Sequence, residues 1–406
     1  MKMTQRVIPD HVPKHLVEEF DLILGKYTEE NPFETLVPKA CEGPDVSYAV
    51  NVFPGEEGGG PAWVIRRMKD FVDVYNDTEH FTNKGFVSIA KLINEKWTLV
   101  PAEQEDTLHT QFRQLLNPIF GPGPMSKMEG MVKDSAEMYL QDLKGKRECE
   151  FMYDYAFPFP VRVTLALLGL PQDRMREFLE WQDKMAHSGE LSVFTEGVQQ
   201  VSDYLKVIIE ERRSDPKDDL ISRMILSKVG DRPLTPDELL GFAFNLYIGG
   251  LDTVSANIGN MVRYLAEKPE QQNFLRKNPD RIHDAVEEML RGFAAVTTFR
   301  VCRKERKLGD ITVKPGDKVA LCTTLAGRDS EYYSNPHEID FDRRSPHVSF
   351  AIGPHTCLGV HLARREMRIG IEAFLKEIPE FRIKEGAVVM TQTGSIAQPK
   401  TLPLVW

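Results

Sequence analysis

Cysteine offers this sequence its most distinctive chemistry, and only one of the five stands in a setting that would use it. Cys41, Cys149, Cys302 and Cys322 are scattered, and no CxxC pair marks a disulfide framework or a zinc ribbon. Cys357 differs. It follows Phe350-Ala351-Ile352-Gly353-Pro354-His355-Thr356 and precedes Leu358-Gly359, after which an amphipathic pattern runs from Val360 to about Lys376. That spacing puts Cys357 at a helix N-terminus, where unpaired amides and the positive end of the dipole favour a thiolate, the form a soft metal ligand requires. Gly353 permits a tight turn with positive φ, and Gly359 leaves room for a flat cofactor against the backbone. Two plainer readings use the same residues: a buried free cysteine capping a helix, or a structural metal site from His355, Cys357 and His361, which lacks a fourth ligand.

A second cluster lies in the most apolar stretch. Gly249-Gly250-Leu251-Asp252-Thr253 interrupts an otherwise helical pattern at a cost of about 1 kcal/mol per glycine relative to alanine, so close packing or a site must explain it. A carboxylate beside a mid-helix hydroxyl suits proton delivery, and the glycines allow the helix to open. The alternative for Thr253 is a hydroxyl bonded back to the carbonyl four residues earlier. Further on, Glu288 and Arg291 sit three apart on a helix entered near Asp280 and share a face. Alone, such a pair reads as a solvated salt bridge.

These residues need a scaffold. Thr235-Pro236-Asp237-Glu238 combines an N-cap hydroxyl, a proline at the first helical position and a glutamate three residues after the cap, so a helix is predicted from there to about Leu265. Its length and apolarity send it through the core. Strands are predicted at 46–53 and 62–66, flanking a turn at 54–61. Alternation around Lys314-Pro315-Gly316-Asp317 reads as a hairpin within 309–322, and 381–406 as short strands and turns. No linker or repeat divides the 406 residues, which read as one domain (1–406), mainly α with a smaller β part near 46–68, 309–322 and 381–406.

The charge balance, 51 Lys plus Arg against 61 Asp plus Glu for a net charge of -10, argues against nucleic acid or an anionic membrane as partner. Residues 1–20 are polar where a signal peptide needs an apolar run, and no uninterrupted apolar stretch of about 18 residues occurs, so a soluble, cytoplasmic protein is expected.

The 350–359 segment resembles the haem loop FxxGxxxCxG of the cytochrome P450 family of haem-thiolate monooxygenases, with Phe350, Gly353, Cys357 and Gly359 at its fixed positions. Three further segments match in the family's order: Glu288-Met289-Leu290-Arg291 its ExxR helix, Gly249 to Thr253 its oxygen-activating central helix, and His109-Thr110-Gln111-Phe112-Arg113 its HxxxR haem-contact helix. The resemblance spans nearly the whole chain. It implies haem b, held between the central helix and the Cys-bearing loop and helix, with Cys357 as axial ligand. His109, Arg113, Arg300 and His355 would be the propionate partners, and Asp252 and Thr253 the relay for the protons that cleave dioxygen. Glu288 and Arg291 would brace the fold with an arginine of Phe341-Asp342-Arg343-Arg344, either Arg343 or Arg344.

Within the family the chain looks closest to the soluble bacterial group that includes camphor hydroxylase, whose members are usually monomers. Trp97 falls where those enzymes place a phenol donor, so camphor itself is not the expected substrate. The other pocket positions implied are Phe86, Val87, Asn245, Ile248, Val296, Thr298, Ser395 and Ile396, mainly apolar with a few polar groups to orient one oxygen. They suit a small terpenoid. Asn245 has the alternative of bridging backbone groups. No flavin or nicotinamide fingerprint is present, so electrons are expected from a two-iron ferredoxin with an NADH-dependent reductase, docking on Arg113, Arg343, Arg344, Arg364, Arg365 and Arg368. Two competing functions are a peroxide-dependent peroxygenase, whose members usually replace the acid–alcohol pair, and a non-catalytic haem-thiolate sensor.

Overall fold

The computed structural model describes residues 8–20, 22, 27–53, 60–85, 89–186, 188 and 190–406. Phe86, Val87 and most of the 54–61 turn fall outside them. The helices that carry the functional segments are, in chain order, α1 (Met68–Asn76), α2 (Asp106–Phe120), α3 (Pro158–Leu168), α4 (Met175–Ala186), α5 (Pro236–Leu251), α6 (Thr253–Glu267), α7 (Ile282–Gly292) and α8 (Val360–Glu377). The chain divides into two compact units, one of residues 1–86, 288–356 and 390–397, the other of 87–287, 357–389 and 398–406.

The first unit is built on a six-stranded mixed sheet. Its strands are β1 (Val17–Glu18), β2 (Val46–Phe53), β3 (Gly60–Ile65), β4 (Phe81–Thr82), β5 (Thr297–Cys302) and β6 (Lys318–Cys322), in the spatial order β1-β2-β3-β6-β5-β4. β2 and β3 pair antiparallel with Val46 opposite Ile65, and the register slips between Ala49 and Phe53. β6 lies between β3, parallel, and β5, antiparallel. This corrects the expected hairpin. The Lys314–Asp317 turn forms, with Gly316 at φ 93°, but the small ladder before it is Arg306–Leu308 against Ile311–Val313. Val319-Ala320-Leu321-Cys322 is buried throughout, and a strand apolar on both faces belongs inside a sheet. Trp63, Phe71, Val74, Tyr75, Val319 and Leu321 form the core, where α1 packs.

The second unit is mainly helical. α5 begins with the predicted capping box: the Glu238 amide donates to Thr235 Oγ1 at 3.2 Å and the Thr235 amide to Glu238 Oε2 at 2.8 Å, with Pro236 at the first position. The predicted single helix to Leu265 is two, broken at Asp252 (φ -110°, ψ -29°). The span Pro236–Glu267 is long and apolar enough to cross a membrane, yet 67% of its apolar window is buried inside the protein, as in a core helix. Near the C-terminus, Pro403–Val405 pairs with Glu148–Glu150 and with Arg382–Ile383.

Candidate active site

Cys357 lies two residues before Gly359, the N-cap of α8. Its side chain is accessible, yet dense protein around the sulfur raises the thiol pKa, while the Gly359 amide, Arg113 and Arg364 pull it down. An accessible group with so much protein nearby lines a concavity rather than a convex face. Desolvation thus opposes the thiolate that the helix terminus, the Gly359 amide and the two arginines favour. α2 supplies Arg113 and, one turn earlier, His109, both with pKa values lowered chiefly by desolvation. A Cβ added at Gly359 would meet nothing within 4 Å, leaving that backbone face open.

The helix break carries the acid and the hydroxyl. Asp252 is 6% exposed, and its carboxylate accepts Gln398 Nε2 at 2.8 Å and, more weakly, Gln182 Nε2 at 3.4 Å. Thr253 Oγ1 donates to the Gly249 carbonyl at 3.0 Å, the plain back-bond allowed for above. Thr164 Oγ1 donates to the Gly250 carbonyl at 3.1 Å, and Gln182 and Ser255 both donate to Leu251. The two glycines have different reasons. A Cβ at Gly250 would lie 2.2 Å from Thr164 Oγ1, so α3 packs there too closely for a side chain, whereas one at Gly249 would meet nothing within 4 Å.

The first unit holds the other motif residues. Arg291 donates twice to Glu288, Nε to Oε2 at 2.9 Å and Nη2 to Oε1 at 2.7 Å, with the two side chains 1% and 2% exposed. It is a buried pair, not a solvated bridge. Arg343 Nε reaches Glu288 Oε1 at 3.1 Å, while Arg344 bonds the Phe341 and Arg343 carbonyls, so the bracing contact is made by Arg343. Arg300 is buried, its guanidinium 5.1 Å from the Tyr75 ring centroid and bonded to the Phe299 carbonyl; among the described residues it meets no carboxylate. The Tyr75 hydroxyl in turn pairs with Thr298 Oγ1 at 2.9 Å. Gly353 has φ 72° and begins the turn to His355, with Phe350 partly buried just before it. Val296 and Ile396 form an isolated bridge, and the Ser395 carbonyl accepts from the Thr297 amide.

A family model described as "Cytochrome P450" matches residues 187–402. The probable cytochrome P450 127A1 of Sinorhizobium fredii is 33% identical over 405 residues, covering 98% of this chain and 97% of its own. The chain belongs to the cytochrome P450 family. Its fold is similar to the crystal structure of cytochrome P450 CYP101C1, with TM-score 0.87, 28% identity and coverage of 98% and 100%. It is equally similar to that of CYP101J2, with TM-score 0.86, 29% identity and coverage of 99% and 100%. This P450 is therefore a monooxygenase whose cofactor is haem b.

The residues fit that cofactor. Arg300, a buried arginine that meets no carboxylate among the described residues, suits an anion such as a propionate, and Cys357 is an accessible sulfur. Among the described residues no three His, Cys, Asp or Glu side chains converge to hold a metal, so the His355–Cys357–His361 alternative has no support. Cys41, Cys149 and Cys302 have thiol pKa values pushed up to about 11, 12 and 11 by burial, which keeps them inert.

Other expectations change. The Trp97 indole N–H donates to Glu95 Oε2 at 2.6 Å, and its ring packs on Phe244, so it is not available to a substrate oxygen. Asn245 Nδ2 bridges to the Val100 carbonyl at 3.1 Å, and Ile248 is partly buried one turn before the break. Arg343 is committed to Glu288 and leaves the docking set. Arg364 pairs through Nε and Nη2 with Glu287, and Arg368 pairs with Glu129 and Glu372, which neutralises much of the expected basic face; Arg365 bonds the His361 and Pro122 carbonyls. Sequence reasoning missed Gln182, Gln398, Thr164 and Tyr75. None stands at a spacing that signals chemistry, and Tyr75 reads simply as a core aromatic.

Proposed function

We propose that this monooxygenase hydroxylates a small hydrophobic substrate, a terpenoid, in the cytoplasm as a monomer, with electrons from a two-iron ferredoxin and its NADH-dependent reductase. The observation that carries the oxygen-activating part is the helix break, where a buried acid and a hydroxyl adjoin an open glycine. The full-length likeness to two CYP101 structures supports a compact substrate and a separate redox partner.

When bound, haem supplies activation of dioxygen, with thiolate donation favouring oxygen–oxygen cleavage. Cys357 would supply the thiolate, and Arg300, His109, Arg113 and His355 would be the partners of the propionates. Thr253 holds a hydroxyl proton at the open Gly249 turn, and Asp252 beside it can return a proton to that hydroxyl only after taking one up itself from solvent. The intact acid–alcohol pair weighs against the peroxygenase and sensor readings.

The reduced carbon monoxide complex tests the ligand: the wild-type protein shows the strongly red-shifted band of thiolate ligation, and a Cys357→Ser protein that kept it would sink the assignment. A panel of terpenoids and small aromatics scored for the low-to-high-spin shift tests the substrate class, which fails if only aromatics respond. Turnover with NADH and ferredoxin should exceed peroxide-driven turnover.

A further inference from the structure

Side chains meet the backbone carbonyls all along the helix break. Gly249 accepts from Thr253 Oγ1 at 3.0 Å, Gly250 from Thr164 Oγ1 at 3.1 Å, Leu251 from Ser255 Oγ at 3.0 Å and Gln182 Nε2 at 3.2 Å, and Thr253 from Asn257 Nδ2 at 2.7 Å. Thr253, Ser255 and Asn257 belong to α6 and travel with it. Thr164 on α3 and Gln182 on α4 do not, so these two tie the break to the rest of the second unit. Of the two, Thr164 acts on the glycine pair itself. A Cβ at Gly250 would lie 2.2 Å from Thr164 Oγ1 and 2.7 Å from its Cγ2, so the missing side chain is what lets the hydroxyl reach the carbonyl. A side chain inserted at a helix carbonyl is an established cause of a kink.

We propose that Thr164 is a positioning residue whose hydroxyl, by holding the Gly250 carbonyl, sets the direction in which Thr253 presents its own hydroxyl. The inference rests on the reading of Thr253 as the proton-delivering hydroxyl. Two successive glycines restrict their own backbone less than any other pair, so the orientation of the peptide planes at 249–251 has to come from bonds made to them. Thr253 is anchored on the Gly249 carbonyl, one residue before the carbonyl that Thr164 holds, and a rotation at Gly250 therefore passes directly to it. Thr164 is 5% exposed. Valine would fill the same space, and a hydroxyl at that depth costs free energy unless it is bonded, so its use is the bond to Gly250.

The test uses the haem-loaded enzyme with ferredoxin, reductase and the panel compound giving the largest spin shift, comparing Thr164→Val, Thr164→Ser, Thr164→Ala and Thr253→Ala. Thr164→Val is expected to keep the carbon monoxide band and the spin shift. Its product formed per NADH should fall on the order of threefold to tenfold, with the difference released as peroxide, because the delivering group is misaligned rather than lost. Amide hydrogen exchange of the 249–257 segment, read by mass spectrometry, should quicken by about threefold to tenfold, the scale of one neutral hydrogen bond. Thr164→Ser keeps the hydroxyl and should hold both values within about twofold of wild type, while Thr164→Ala should follow the valine variant. Coupling in Thr164→Val within about twofold of wild type, against a clear loss in Thr253→Ala, would overturn the positioning role, whether or not exchange quickens. If Thr253→Ala is itself fully coupled, the relay reading falls and this role with it. Should Thr164→Val fail to take up haem, the serine and alanine variants decide, since they differ by the hydroxyl alone.

Discussion

Replacing Glu288 by glutamine keeps the shape of the bracing site and removes one charge, which makes it a clean probe of the pair. Glu288 Oε1 accepts from Arg291, from Arg343 and from the Asp340 amide at 3.0 Å, and Oε2 accepts the Arg291 Nε. In the variant the Arg291 guanidinium stays 1% exposed, still bonded to the Gly327, Pro336 and Glu338 carbonyls but without its counter-charge. Breaking a buried pair from one side costs about 3–5 kcal/mol. With an unfolding entropy of roughly 2.1 cal/mol/K per residue, a chain of this length loses about 4–6 °C in Tm. The assay is thermal unfolding of the haem-loaded protein by circular dichroism, with haem absorbance followed in parallel. Cutting the exposed Arg176–Glu180 pair serves as the control and should produce no resolvable change. A Glu288→Gln protein melting within about 1 °C of wild type would refute the reasoning, because it would mean that Arg291 does not need its charge partner.

Gly250→Ala should destabilise by about 1–3 kcal/mol through collision with Thr164, whereas Gly249→Ala, with space around it, should leave the melting temperature unchanged or slightly raised; equal effects on Tm would contradict the packing account. Thr253→Ala should retain haem and the spin shift but divert NADH electrons to peroxide, and an unchanged ratio of product to NADH would count against the relay. Glu366 is buried, its Oε1 has no hydrogen-bond partner among the described residues, and burial raises its pKa well above 4.5. The folded state therefore keeps a proton that the unfolded chain releases, and stability falls as pH rises above about 4.5 toward the folded value. Glu366→Gln should accordingly gain Tm relative to wild type by more at pH 8 than at pH 5, and a gain independent of pH would show the carboxyl is not the cause.

What the sequence made legible is what chemistry or local geometry ties to fixed spacing. Glu288 and Arg291 share a helix face because they are three apart, the Thr235–Glu238 box closes over one turn, and Cys357 must precede a helix at a set distance from Gly353. What it hid depends on meetings between distant segments. Nothing near Asp252 announces Gln182 or Gln398. The Trp97 N–H, which looks available, is taken by Glu95, a residue two positions away that is itself held by Lys206 from a helix more than a hundred residues later. Arg343 and Arg344 are equivalent in sequence, and only the path of the 334–344 segment turns one of them toward Glu288. Lys318–Cys322 follows a good hairpin turn, yet burial on both faces draws it to β3 and β5.

The short helix α1 sets a limit on redesign. Its last residues touch two segments of the first unit at once: the Tyr75 ring lies under Arg300 and the Tyr75 hydroxyl holds Thr298, while Asn76 Oδ1 and the Tyr75 carbonyl crowd the place where a side chain at Gly353 would go, at 2.6 and 3.1 Å. Libraries at 297–300 and libraries at 350–356 are therefore not independent. A substitution selected in one will shift the baseline of the other through Tyr75 and Asn76, and the two regions should be varied together with those positions or not at all.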